Sequence, residues 1–176
     1  MITAVGIKRL LYADTSLVKT DLTGAVLKTI IESATEITNV HGDTWSFEEA
    51  DPSVTKHKNA LTGGTYRMDK EMGDVAMNFT IGQYDYKTKA DLMGGDATEK
   101  SWKRARGVVN ITKCLIAKTE DDQWVVFPKG IVVARTTTQD KGIGLAVAGT
   151  AMEPENSLVR SEYWFDDSEV KAPAGE

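Results

Sequence analysis

The chain has 176 residues, 41% hydrophobic and 27% charged, with a net charge of −5. That length suits one domain burying roughly 70% of its unfolded surface, and the balance excludes a wholly disordered chain. The acidic charge argues against a protein that grips nucleic acid by its phosphates, and the single cysteine, Cys114, excludes an intrachain disulfide.

Residues 4–13, "AVGIKRLLYA", read as a first strand in which Val5 and Ile7 alternate. The opening residues contain no uninterrupted apolar stretch of the kind a secretory signal needs, and no run approaches the ~18 residues of a membrane span. The expectation is a soluble product made in a reducing compartment. Residues 20–34 place Leu22, Val26, Leu27, Ile30 and Ile31 near helical spacing behind a candidate cap, Asp21, although Gly24 and the β-branched residues weaken the helix. An edge segment is the other reading.

Residues 35–50 look extended, with Trp45 and Phe47 on one face. Residues 51–74 are polar, with Pro52 and the pair Gly63–Gly64, and read as a long loop or protruding hairpin with 66–72 as its returning arm. "DVAMNFTI" is the clearest strand: Val75, Met77, Phe79 and Ile81 face one way, Ala76, Asn78 and Thr80 the other. It runs into "GQYDY" and then "KTKADLMGG", a short helix or turn stopped by glycine. Residues 96–107 read as a second, charged loop.

"VVNITKCLIAK" and "WVVFPKGIVVAR" form a β-hairpin across the acidic turn "TEDDQ", with a bulge or an edge at Pro128. Residues 141–152 alternate again, with Ile143, Leu145 and Val147 on one side. A last short strand falls within 153–167, and 168–176 reads as a flexible tail. The whole predicts a single β-rich α+β domain over 1–167: a β-sandwich or barrel-like antiparallel sheet of about seven strands with one or two short helices.

No catalytic set emerges, and the reading is of a non-enzyme with no cofactor and no metal site. "GIGLAVAG" lacks the strand–loop–helix context of a dinucleotide loop. His41 and Asp43 share a face, but His57 lies in the polar loop and a metal site wants three or four ligands. The pairs Glu48–Glu49, Asp121–Asp122 and Asp166–Asp167 are adjacent, which on a strand turns the two carboxylates to opposite faces. Cys114 reads as a small buried hydrophobe. "EKSWKRARG" sets Trp102 among Lys100, Lys103, Arg104 and Arg106, a combination suited to single-stranded nucleic acid or, better for an acidic chain, to a protein contact.

The strand "GDVAMNFTIGQYDY" followed by "KADLMGG" and a charged loop, and the late "GLAVAGTAMEPENS…YWF", resemble phage major tail proteins, the tail tube subunits of long-tailed phages and prophages. The resemblance covers residues 75–150 best and the N-terminal third by general plan. It implies a β-sandwich or barrel-like core with a flanking helix, similar in design to injection-system tube proteins. It implies hexameric rings that stack into a hollow tube, located in the virion tail after synthesis in a bacterial cytoplasm. The partners it implies are other copies of the chain, other tail proteins and DNA passing through the lumen. Tyr84, Tyr86, Met93, Trp102 and Arg104 are then the candidate subunit contacts. The alternative reading is a β-sandwich module that binds carbohydrate or protein, with Trp45, Tyr84, Tyr86 or Trp102 as its stacking surface.

Overall fold

Where β-branched and aromatic residues alternate, the chain forms one large antiparallel sheet. The computed structural model describes residues 3–171. Its strands are β1 (Arg9–Ala13), β2 (Thr35–Ile37), β3 (Ser46–Glu49), β4 (Ser53–Lys58), β5 (Thr65–Glu71), β6 (Val75–Ile81), β7 (Asp96–Thr98), β8 (Ser101–Lys103), β9 (Ile111–Lys118), β10 (Gln123–Gln139), β11 (Gly142–Ala151) and β12 (Tyr163–Asp166). The helices are α1 (Gly24–Ser33), α2 (Tyr86–Met93) and α3 (Asp167–Lys171), with a single 3-10 turn at Thr15–Leu17. The domain is β-rich α+β. Eight strands form one sheet in the order β2–β1–β9–β10–β11–β6–β3, with β12 beside β10; β4–β5 and β7–β8 are separate hairpins.

Strand β10 organises the sheet. Its first half pairs with β9 and β12, its second with β9 and β11, and the β9 register shifts between Phe127 and Gly130. Pro128 sits at that shift because it brings no N–H to the ladder, and the resulting bulge bends the strand. Asp140 and Lys141, with φ of 45° and 66°, make the two-residue turn into β11. Positive φ at both positions gives a turn whose twist matches the strands it joins.

The two faces of β1, β9 and β10 feed two separate cores. Leu10, Tyr12, Leu115, Val125 and Phe127 share one with Met77, Phe79, Ile81 and Leu145. Because three strands separate β1 from β6 in the sheet yet the two meet there, the sheet curls into a barrel-like half-shell, and Leu92 of α2 enters the same core. Leu11, Cys114, Ile116, Trp124 and Val126 face the other way and are covered by Leu27 and Ile30 of α1 and Val170 of α3. Burial on both faces explains the unbroken apolar runs.

Several sequence expectations change. The first strand begins at Arg9, leaving Val5 60% exposed. The 20–34 segment is a helix, but its cap is Thr23, whose hydroxyl accepts from Val26 N–H at 3.4 Å; Asp21 instead accepts from the Tyr163 hydroxyl at 2.6 Å. The charged 96–107 loop contains the β7–β8 hairpin. Ile143 lies on the face of Leu145 and Val147 but beyond the core, 67% exposed. The expected tail over 168–176 starts as α3, with Val170 buried; residues 172–176 lie outside the described residues.

Gly24 is what lets α3 dock. A Cβ there would lie 2.2 Å from the Glu169 carbonyl oxygen, a backbone atom that moves only if α3 moves. Gly24→Ala is expected to destabilise the protein by about 1–2 kcal/mol despite its better helix propensity. Urea denaturation monitored by tryptophan fluorescence checks this, since Trp124 lies beneath α3.

Candidate functional site

The corner after β6 is built from local rules. Asp85 caps α2, accepting from Thr88 N–H at 2.6 Å, and that N–H holds the Asp85 carboxyl below its ordinary range. Leu92 is fully buried, and the Tyr12 hydroxyl donates to Asp91 at 3.0 Å. Burial pushes the Tyr12 phenol up to about 12, so it keeps its proton and remains the donor. Gly94 and Gly95, at φ of 79° and 98°, then reverse the chain. A Cβ on Gly95 would sit 2.2 Å from the Lys103 carbonyl oxygen, so only glycine lets β8 return against α2.

That return creates a small cation–aromatic stack. The Lys89 ammonium lies 4.2 Å from the Trp102 ring centre and 5.9 Å from that of Tyr84, and the Arg104 guanidinium lies 5.7 Å from Trp102. The Trp102 indole N–H donates to Gly94 O at 2.9 Å, which fixes the ring. Of the five expected contact residues, Tyr84, Trp102 and Arg104 are thus brought together. Tyr86 is 45% exposed at the start of α2 on its own, and Met93 packs against the barrel core. Lys89, the residue that joins the stack, was not among the expected five. Its partner is 13 positions away, and only the Gly94–Gly95 reversal makes them neighbours.

Lys100, Lys103, Arg104 and Arg106 have no carboxylate partner among the described residues, whereas Lys87 pairs with Asp91 at 3.1 Å. Val108, just beyond, is 95% exposed. The corner therefore offers an aromatic and aliphatic centre with a cationic rim.

The β4–β5 hairpin is the other unpartnered feature. Val54, Leu61, Tyr66 and Met68 are all more than half exposed, and neither core includes a residue of it. Its own polar contacts are local: His57 Nε2 lies 2.9 Å from Asp69, and Arg67 donates to the same carboxylate at 2.8 Å. Isolated two-stranded hairpins are marginal in water, so exposed apolar residues on one point to contact with something else.

The residues weighed for chemistry are dispersed. His41 lies 3.4 Å from Asp140, apart from the His57–Asp69 pair, and Asp43 occupies an exposed turn at φ of 59°. Among the described residues no group of three or more His, Cys, Asp or Glu side chains could hold a metal ion. Cys114 is fully buried and burial pushes its thiol up to about 12, a structural setting rather than a reactive one. Residues 142–149 form strand β11, not a phosphate loop. Trp45 packs on the barrel core, while Tyr84 and Tyr86 line different clefts of about 390 and 600 Å³.

The most desolvated charges serve the fold. Asp167, 7% exposed, accepts from Trp124 Nε1 and from Lys118 Nζ, both at 2.8 Å, and pairs with Lys171. Lys118 also reaches Asp122 at 2.8 Å. Burial would raise the Asp167 carboxyl, but these three donors hold it well below the ordinary carboxylate range. Every buried side-chain polar atom among the described residues has a partner, which marks this network as a clasp for β12 and α3.

No family model matches this chain, and no curated protein matches it either. No helix among the described residues is long and apolar enough to cross a membrane.

Proposed function

We propose that the chain is a self-assembling structural subunit of a phage-type tail tube, in which copies form rings and rings stack into a hollow conduit. The observation that carries this reading is the β4–β5 hairpin, an arm of exposed apolar residues that its own domain leaves uncovered. Strand β3, at one end of the sheet, pairs on one side only, which suits edge pairing between copies and is a liability in a monomer. The segments that resemble tail proteins form β6, α2, β11 and β12, and β6 pairs with β11. The subunit acts by assembly rather than catalysis, and its negative charge lets DNA slide past without being trapped.

Light scattering on a concentration series of the purified chain tests the proposal. The expected result is a sharp rise in mass above a threshold concentration, reversed on dilution. A mass that stays that of one subunit throughout would overturn it.

A further inference from the structure

We infer that the cationic corner of one copy seats against the acidic root of the β4–β5 hairpin on the next, head to tail. This rests on the self-assembly reading above and names the two surfaces that meet. Residues 85–106 hold six Lys or Arg against the four carboxylates Asp85, Asp91, Asp96 and Glu99, in a chain of net charge −5. Lys103, Arg104 and Arg106, beside the Lys89–Trp102 stack and the exposed Val108, have no ion-pair partner among the described residues.

The opposite charge collects where the hairpin leaves the sheet. Glu48 and Glu49, on opposite faces of the edge strand β3, and Asp51 and Asp74 are all exposed, and none forms an ion pair among the described residues. Their backbones are tied together: β3 pairs with β6 from Glu49 opposite Val75, and Ala50 N–H donates to Asp74 O at 2.9 Å. Beside them, Met72 is 69% exposed at the mouth of a cleft of about 530 Å³ that Asp74, Val75, Ala151 and Glu153 also line, with Arg160 its one cation. Apolar residues flanked by unpaired acids mirror apolar residues flanked by unpaired bases.

One copy does not bring the two together. Among the described residues no ion pair joins Lys103, Arg104 or Arg106 to Glu48, Glu49, Asp51 or Asp74 within one copy. A contact between two different patches on identical subunits is heterologous, and it propagates into a ring or a filament rather than closing a dimer.

Charge exchange tests this pairing. One variant carries Lys103→Glu, Arg104→Glu and Arg106→Glu; the other carries Glu48→Lys, Glu49→Lys and Asp74→Lys. Each alone sets like charges face to face, and each is expected to raise the threshold concentration for assembly about tenfold or more. An equimolar mixture restores opposite charge at every alternating contact and is expected to assemble near the wild-type threshold. Circular dichroism melting confirms that both variants are folded. Wild-type assembly with either variant assembling normally, or with a folded mixture that stays dispersed, overturns the pairing while leaving self-assembly standing. A wild-type chain that never assembles overturns both. If the corner variant assembles normally but loses binding to an oligothymidylate at physiological salt, the corner is a nucleic-acid surface and the inference is wrong.

Discussion

Replacing residues 54–70 with a short Gly-Ser turn is expected to give a folded chain that no longer assembles. The excised arm supplies no residue to either core, so the loss to the domain is small, within about 1 kcal/mol. What leaves with it are the exposed apolar side chains of Val54, Leu61, Tyr66 and Met68, which stand to gain from a partner. Melting temperature and far-ultraviolet circular dichroism check the fold; light scattering at a concentration where the wild type assembles checks the loss. Assembly that persists without the arm would transfer the subunit contact to the sheet edge and the cationic corner alone.

Asp167→Ala is expected to destabilise the fold by about 3 kcal/mol, the lower end of what breaking a buried ion pair costs, because Lys118 keeps Asp122 as a partner. The variant also leaves the Trp124 indole N–H without its acceptor. For a chain of this size the melting temperature falls by about 10 °C. The pH dependence has a definite sign. The folded carboxyl lies below its unfolded value, so its stabilisation is complete above the ordinary aspartate pKa of about 3.9 and is lost as pH falls toward the folded value. Lys118 acts in the opposite sense: burial lowers its pKa, but Asp122 and Asp167 outweigh that and raise it, so its contribution is complete below the ordinary lysine value and lost only as pH rises through the raised one. The stability gap between wild type and variant is therefore expected to be constant near neutrality and to narrow below about pH 4. Denaturant titrations at several pH values measure it.

The strands were legible where burial is one-sided or the run is long. Met77, Phe79 and Ile81 alternate cleanly because β6 turns one face to the barrel core, and Pro128 announced its own bulge. The 51–74 arm was readable as a long loop or hairpin from its polar composition and paired glycines, and the structure makes it the β4–β5 hairpin. Short elements held by tertiary contacts were not. α3 spans five residues and stands because Val170 is buried and Asp167 is clasped, neither of which local propensity reports. β7 and β8, three residues each with little β-branching, read as loop. Thr23 and Asp21 are both good caps, and only the Tyr163 hydroxyl, 142 positions from Asp21, separates their roles.

The corner divides in the same way. Aromatic and basic residue types at Tyr84, Trp102 and Arg104 were visible in sequence, but their meeting depends on the Gly94–Gly95 reversal, and Lys89 belongs to the stack only through that geometry. The acidic root was also hidden: Glu48 and Glu49 approach Asp74 through β3–β6 pairing across an intervening hairpin.

Electron microscopy of the purified wild-type chain, concentrated above its scattering threshold, examines self-assembly into a conduit most directly. Hollow rods built of stacked rings, absent from the hairpin-replacement variant, are the expected image. A field of dispersed 19.2 kDa particles at every concentration and salt would contradict it.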